Sequence, residues 1–285
     1  MNILIRPNFD KKGSLECVRK AASILLGHGA QIFINEADRS FFDDPQCRYG
    51  PMEEIIPLCD VLISVGGDGT ILRTVKAAIP YGKPVLGINT GRIGFLTQLE
   101  EGELEDLALL VRGEYSLASR MMLKARIEGS CGEDFQYHAL NDLVITRIDS
   151  NNIADMVVTA QEGRVSSFRA DGLIFSTPTG STAYSMSAGG PILDPSLDAI
   201  IMTAICPHAA ITRPMVLRTD RSYCLCESQS SSNRGGLSLS VDGRTSHRIL
   251  LGECIYIEKS TQTATLVDFG KKDFYWALNK KFSIT

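Results

Sequence analysis

The sequence feature that most constrains the fold is an apolar run that ends in a glycine-rich turn. Residues 60–65 are nearly all apolar after the aspartate, and Gly66-Gly67-Asp68-Gly69-Thr70 follows at once. An apolar run without alternation is typical of a parallel strand that is buried on both faces. The next residues, 70–78, have the pattern of a helix that stops before Pro80. The sequence therefore predicts a strand, a tight turn and a helix, which is the repeating unit of a parallel α/β sheet.

The same alternation of strand and helix patterns extends over the first third of the chain. Strand-like runs at 2–6, 31–35 and 84–89 accompany the one at 60–65, and a helical pattern lies at 15–26. This order predicts a parallel sheet with right-handed crossovers. One more helix is expected over 103–112.

After residue 113 the apolar pattern changes to short strands separated by Gly, Ser and Asn, which predicts a β-rich domain. The predicted strands lie at 140–145, 155–161, 164–170, 173–176, 222–227, 237–241, 253–258 and 263–267. Residues 228–236 indicate a hairpin loop. We expect two domains: an α/β domain with a parallel sheet over 1–99, and a β-rich C-terminal domain over 100–268. The last segment, 269–285, should pack back on the first domain, because exposing its aromatic residues would be costly.

Charge and cysteine content exclude several classes of protein. The 285 residues carry a formal net charge of −4, and no basic run exceeds two residues, which disfavours a nucleic-acid binder. No apolar stretch approaches the length of a membrane span, and the N-terminus lacks the pattern of a signal peptide. The eight cysteines are scattered and include no C-x-x-C. We therefore expect reduced thiols in a cytoplasmic protein, and no resident metal site.

The turn at 66–70 has the composition of a phosphate-binding loop. Its glycines let the backbone approach a ligand, and the start of the following helix offers N–H groups and a positive dipole end. A carboxylate at Asp68 would repel a phosphate. Its presence in the turn is explained if it orients or deprotonates an attacking hydroxyl, or helps to hold Mg²⁺. The alternative is a plain turn in which Asp68 or Thr70 caps the helix. The sequence of residues 66–70 matches neither a Walker loop nor a dinucleotide-binding fingerprint.

Two further segments gather polar groups. Residues 177–191 concentrate Thr, Ser and Gly around Tyr184, which suits a ligand with rings and phosphates; a structural loop is the alternative. Asn141 and Asp142 interrupt an apolar run, where unbonded polar groups cost free energy. A ribose or a base could supply the hydrogen bonds, and an Asx turn could equally do so.

Together these segments closely resemble the NAD kinase family. The resemblance rests on the turn at 66–70, the segment 89–96, Asn141-Asp142, the block 169–192, and Cys206-Pro-His208 with Arg213-Pro214. The order and spacing match from residue 3 to about residue 268. The block 169–192 is specific, whereas lipid kinases and 6-phosphofructokinases resemble the turn alone.

The resemblance implies an enzyme that phosphorylates the adenosine-ribose 2′-hydroxyl of NAD to make NADP. The donor would be ATP with Mg²⁺ or another divalent metal, or polyphosphate, and the enzyme would be a homodimer or homotetramer. The alternatives are a lipid or sugar kinase that shares the turn, and a non-catalytic NAD(P)-binding sensor. The resemblance leaves the preference between NAD and NADH open.

Site residues follow from the resemblance, position by position. Asp68 matches the catalytic base, and Gly66, Gly67, Gly69 and Thr70 match the phosphate-side turn. The positions expected to bind NAD are Asp68, Gly69, Phe95, Asn141, Asp142, Arg169, Asp171, Thr179, Thr182, Ala183, Tyr184, Ser187 and Ala204, with Asp242 and Arg244 at the edge. Phe95 matches a ring beside the adenine, and Asp171 is expected to reach in from a neighbouring subunit.

One candidate comes from the residues alone. Arg73 lies on the helix after the turn, where it could meet the triphosphate of ATP or remain a solvated charge.

Overall fold

The structure, a computed structural model, describes residues 1–91, 93–128, 133–149, 151–208, 212–228 and 235–282. It divides into two compact units, one formed by residues 1–119 and 264–285 and the other by residues 120–263. From the sequence we place the domain boundary near residue 99. The structural division falls later because Leu104, Leu107 and Leu110 belong to the hydrophobic core of the first unit.

The first unit is an α/β fold around a parallel sheet. Its elements are β1 (Asn2–Pro7), α1 (Ser14–Gly27), β2 (Gln31–Asn35), β3 (Arg48–Gly50), α2 (Met52–Ile55), β4 (Val61–Gly66), α3 (Asp68–Ala78), β5 (Val85–Asn89), β6 (Leu99–Glu100) and α4 (Leu107–Arg112). The strand order is β3-β2-β1-β4-β5, with β6 beside β5, and all these pairs are parallel. Both β4 and β5 are buried at every position, as the apolar runs predict.

The strand order reverses between β1 and β4, and this reversal positions the site. The loops that follow these two strands lie side by side at the carboxyl edge of the sheet, where Asn8 N donates to Val65 O at 2.9 Å. Ligands of open parallel sheets bind at such a switch point. The turn at 66–70 lies at this point.

The expected helix over 103–112 is wrong in its first half. Residues Glu101–Asp106 form a 3₁₀ helix instead, with Glu103 at φ −117°, ψ 16°. The reason is a capping contact: the Glu103 carboxylate accepts the Glu100 N–H at 2.9 Å. Within the expected span 103–112, only α4 (Leu107–Arg112) is α-helical.

The second unit contains two antiparallel sheets. Its elements are β7 (Ser116–Glu128), β8 (Asp134–Ala139), β9 (Asp142–Arg147), β10 (Ala154–Ala160), β11 (Gly163–Ala170), β12 (Gly172–Ser176), α5 (Tyr184–Ser187), β13 (Ile200–Ile205), β14 (Met215–Leu217), β15 (Tyr223–Glu227), β16 (Leu237–Val241), β17 (Arg244–Ile249) and β18 (Cys254–Asp268). One sheet is ordered β14-β13-β12-β9-β16-β17, and the other contains β11-β10-β15-β18 with β7 and β8. Their apolar faces share one core, to which Phe175 and Leu239 contribute from the first sheet and Leu123 and Leu225 from the second.

Two expected strands, 253–258 and 263–267, are one continuous strand, β18. The polar residues between them, of which Thr261 and Gln262 are exposed and Ser260 is buried, interrupt the apolar pattern while the backbone stays extended. The strand ends in the first unit, where Leu266 pairs with Val85. Of the predicted hairpin loop 228–236, residues 229–234 lie outside the described residues.

The last helix of the described residues is α6 (Phe274–Phe282), which belongs to the first unit. Lys272, just before it, forms ion pairs with Glu100 and Glu103. Among the helices of the described ranges, none has the length and apolar content that crossing a bilayer requires.

The cysteines correct one expectation. Cys226 on β15 and Cys254 on β18 are joined by a disulfide, with their Cα atoms 4.5 Å apart, whereas we expected only reduced thiols. The two residues are direct partners in the strand ladder. Pairing across strands depends on register, which the spacing of 28 residues between them does not reveal.

Candidate functional site

The glycine turn presents bare backbone at the start of α3. A Cβ at Gly66 would lie 2.5 Å from Thr70 Oγ1, and a Cβ at Gly67 would lie 2.6 Å from Lys11 Nζ. Gly66 therefore has no room for a side chain, whereas a side chain at Gly67 would have to displace the flexible end of Lys11. The first turn of a helix has N–H groups without helical partners, so this surface suits an anion.

Asp68 is the first residue of α3 and is held from the side by a neighbouring loop. Its half-buried carboxylate accepts the N–H of Phe95 at 3.1 Å and that of Leu96 at 3.3 Å. A Cβ at Gly94 would collide with the same carboxylate. Because a carboxylate has about four acceptor positions, these two bonds orient Asp68 and leave capacity for an incoming hydroxyl.

Two cations accompany the turn. The Arg73 guanidinium donates to Thr70 Oγ1 at 3.2 Å, which places it over the turn. Lys11, from the loop after β1, has its Nζ next to Gly67. Lys11 is absent from the sequence-based candidates, because only the adjacency of β1 and β4 brings it near. That adjacency could have been expected from the topology of a doubly wound sheet.

Buried polar atoms without partners line the same edge of the sheet. Among the described residues, Asn89 Oδ1 and Thr90 Oγ1 are buried and make no hydrogen bond. The Thr90 N–H donates to Gly66 O at 3.0 Å, so this pair lies beside the turn. Unbonded buried acceptors cost free energy that a polar ligand would recover.

Phe95 is placed against the C-terminal helix. Its ring centroid lies 6.0 Å from that of Phe274 and 6.1 Å from that of Phe282, and Lys281 Nζ lies 4.3 Å from the ring centroid. The ring is only partly buried.

In the second unit, Asp242 organises the turn that carries Asn141 and Asp142. Its carboxylate accepts the N–H groups of Leu140, Asn141 and Asp142 at 3.0, 2.7 and 3.2 Å. Asp242 has φ 48°, in the left-handed region, and the following Gly243 has φ 76°, which is the backbone of a tight hairpin turn. The family resemblance implies only an edge role for Asp242.

The Thr/Ser/Gly-rich loop packs directly on this turn. Thr177 N donates to Asn141 O at 2.9 Å, and Thr177 Oγ1 donates to Leu140 O at 2.6 Å. A Cβ at Gly180 would collide with Asn141 O. The structure thus brings together the two polar segments of the second unit, Asn141-Asp142 and the loop that begins at Thr177. We call residues 141–142 and 177–184 the polar cluster.

The polar cluster contains groups whose hydrogen-bonding capacity is not used within the described residues. Asn141 Oδ1 and Thr179 Oγ1 are buried and without a partner there. Asp142 is 4% exposed, and burial, with a smaller contribution from the Asp242 charge, raises its pKa to about 7. A hydrogen bond from the Tyr184 N–H opposes this rise. The cluster therefore suits a ligand rich in donors and acceptors.

The remaining candidates lie at different places in the second unit. Thr182 is buried in the cluster, Ala183 is partly buried, and Tyr184 and Ser187 are exposed on α5. Ala204 is in the hydrophobic core. Arg169 is exposed on β11, 3.9 Å from Asp155, and Arg244 is exposed on β17.

Asp171 does not join the polar cluster within one chain. It precedes β12, whereas Thr177 follows it, so about 20 Å of extended strand separates them. Its carboxylate accepts the Arg147 Nε–H at 2.8 Å.

Comparisons with known proteins agree on one family. Residues 3–115 match the family model described as ATP-NAD kinase N-terminal domain, and residues 140–269 match ATP-NAD kinase C-terminal domain. The chain is 36% identical over 281 residues to an NAD kinase of Caldanaerobacter subterraneus subsp. tengcongensis, covering 97% of each chain. It is 40% identical over 227 residues to an NAD kinase of Symbiobacterium thermophilum, covering 79% of each.

Two solved structures are similar over the whole of this chain. Yeast NADH kinase in complex with NADH has a TM-score of 0.88 at 25% identity, with 88% of that chain covered. An NAD kinase from Archaeoglobus fulgidus in complex with ATP has a TM-score of 0.75 at 26% identity, with 99% covered.

Proposed function

Because the chain belongs to the NAD kinase family, we propose that it transfers the γ-phosphoryl group of ATP to the adenosine-ribose 2′-hydroxyl of NAD, which yields NADP and ADP. The observation that carries this proposal is the Asp68 carboxylate, which two backbone N–H groups hold at the first residue of α3, beside side-chain-free glycines. A positioned carboxylate next to an anion-binding turn is what transfer to a hydroxyl requires.

In the proposed reaction, Asp68 orients the 2′-hydroxyl and accepts its proton as the oxygen attacks the γ-phosphorus. The bond from that phosphorus to the bridging oxygen breaks, and ADP leaves. The amides at the start of α3, with Arg73 and Lys11, offset the phosphate charge. Mg²⁺ enters as part of the ATP substrate. Positioning and electrostatics supply most of the acceleration, since phosphoryl transfer needs little covalent help from the protein.

We assign the adenosine part of NAD to the polar cluster. The unpartnered acceptors Asn141 Oδ1 and Thr179 Oγ1 support this, because adenine and ribose carry N–H and O–H donors. Asp142 faces the same ligand in our assignment, with the carboxylate able to accept from ribose hydroxyls. Tyr184 offers an exposed ring beside it.

The quaternary structure and cellular context are further proposals from the family. A homodimer or homotetramer would let Asp171 serve the site of a second subunit, which fits its distance from the polar cluster in its own chain. We place the enzyme in the cytoplasm, with ATP as donor and polyphosphate as the alternative.

A coupled assay tests the function. Purified protein receives Mg²⁺-ATP with NAD or with NADH, and a dehydrogenase specific for NADP(H) reads the product. We expect NADP(H) from at least one of the two. If neither gives product while NAD still binds, the protein is a sensor and the proposal is wrong; replacing ATP with polyphosphate tests the donor.

A further inference from the structure

Three cysteines lie at one point on the second unit, far along the chain from the residues proposed for catalysis. Cys224 and Cys226 are two residues apart on β15, and Cys254 lies opposite Cys226 on β18. Their sulfur atoms all lie within 4.8 Å of one another, and each residue is half-buried.

The pairing of the strands explains why the three sulfurs converge. Alternate residues of a strand point to the same face, and Tyr223, Leu225 and Glu227 point to the buried face. Cys224 and Cys226 therefore point to the outer face. The register then brings Cys254 beside Cys226 on that face, within reach of solvent.

A disulfide alone does not account for this arrangement. The Cys226–Cys254 bridge uses two of the thiols, whereas Cys224 keeps its Sγ 3.5 Å from the Sγ of Cys226. The side chains of Thr159 and Tyr256 form hydrogen bonds with Cys224, so its sulfur has polar neighbours. Groups that hydrogen-bond to a metal ligand orient it.

The separation between the sulfurs of Cys224 and Cys226 is compatible with ligation of one metal ion. Two thiolates on one tetrahedral Zn²⁺ lie about 3.8 Å apart, given Zn–S bonds of about 2.3 Å. The Cys224–Cys226 separation is already close to this value.

We propose that Cys224, Cys226 and Cys254, when reduced, bind one thiophilic d¹⁰ cation of the zinc class through three thiolates. The fourth position is open to water. The disulfide and the metal are alternatives, because each needs the sulfurs of Cys226 and Cys254. Soft sulfur ligands select such cations over Mg²⁺, so the site is chemically distinct from the proposed kinase site.

The experiment titrates the full-length protein with Cd²⁺, a spectroscopic probe of thiolate ligation, after reduction by a phosphine. The phosphine breaks the Cys226–Cys254 bond, gives two thiols and becomes its oxide, with the oxygen and two protons taken from water. We expect one equivalent of Cd²⁺ to bind per chain with a thiolate-to-metal charge-transfer band. Zn²⁺ should displace the Cd²⁺, and Mg²⁺ should not. The unreduced disulfide form should give no band.

Cys224→Ser is the decisive variant, because it leaves the disulfide pair intact and so preserves folding before reduction. Its affinity for Cd²⁺ should fall by about 10-fold or more, with a weaker band. Cys206→Ser, which changes an exposed free cysteine, is the matched control and should bind like the wild type. No band in the reduced wild type, or unchanged binding by Cys224→Ser, would overturn the proposal. None of these readouts depends on NAD phosphorylation.

Discussion

Asp142 has a pKa far above that of a free aspartate side chain. It is almost completely buried, and its pKa is raised to about 7 by burial first and by the Asp242 charge second. Near neutral pH it therefore changes between an acid that donates a hydrogen bond and a carboxylate that only accepts.

This raised pKa predicts how stability depends on pH. Because the folded-state pKa lies above the unfolded one, Asp142 contributes its stability fully below about pH 4, and the contribution is lost as pH rises through about 7. From pH 4 to 8, urea denaturation should show the free energy of unfolding of the wild type falling relative to Asp142→Asn, by up to about 4 kcal/mol. Asp10→Asn, at an exposed position, is the control and should parallel the wild type. Equal pH dependence in wild type and Asp142→Asn would contradict the raised pKa.

Asp68 and Asn141-Asp142 could be named as candidates from the sequence because short motifs carry them. Asp242 and Lys11 could not be placed in the same way. Asp242 reaches the 140–142 turn across about 100 residues of chain, and Lys11 reaches Gly67 only because β1 and β4 are neighbours. Contacts of this kind depend on register and strand order, which local patterns do not contain.

At the scale of elements, the loop 94–96 holds the Asp68 carboxylate on the turn. Gly94 has no room for a side chain against that carboxylate, whereas a Cβ at Gly91, also between β5 and β6, meets nothing within 4 Å. The two glycines form a matched pair for testing whether this fit matters.

Gly94→Ala should displace Asp68 or the loop. We expect a loss of stability of about 1–3 kcal/mol, typical of overpacking, and a fall in NADP formation of about 100-fold, since small misplacements of a catalytic group are costly. Gly91→Ala should change both quantities little. Thermal unfolding and the coupled assay measure the two effects, and similar behaviour of the two variants would argue against the role given to this loop.

The elements themselves were predictable to different degrees. The strand at 237–241 alternates cleanly and has the expected bounds. The helix at 103–112 fails because a side-chain cap at Glu103 outweighs an apolar period. The disulfide escapes prediction because strand register, and not spacing, brings Cys226 and Cys254 together.

For the whole molecule, the α/β and β-rich architecture follows from the change in apolar period, and the structure confirms this fold class. The site residues are harder to place, because a match to a family motif gives a position in the sequence and not a position in space. The position of Asp171 at the far end of β12 from Thr177 leads to a prediction about assembly.

If Asp171 serves a neighbouring subunit, two inactive variants should complement each other. Asp68→Asn and Asp171→Asn are each expected to be poorly active. In a mixed dimer one site receives both changes and the other receives neither, so co-expressed and co-purified chains should recover up to about a quarter of wild-type activity at random pairing. Mixed oligomers as inactive as the parents would place Asp171 in its own subunit's site. Full activity of Asp171→Asn alone would remove it from the reaction.

The most direct test of the account compares turnover and NAD binding in Asp68→Asn. The amide keeps one acceptor for the N–H groups of Phe95 and Leu96, and thermal unfolding checks that the fold survives the loss of the other. With saturating Mg²⁺-ATP and NAD, we predict that kcat for NADP formation falls about 10²–10⁴-fold, while calorimetry finds NAD affinity close to that of the wild type. Near-normal turnover by a folded Asp68→Asn protein would contradict the role of Asp68 as the base.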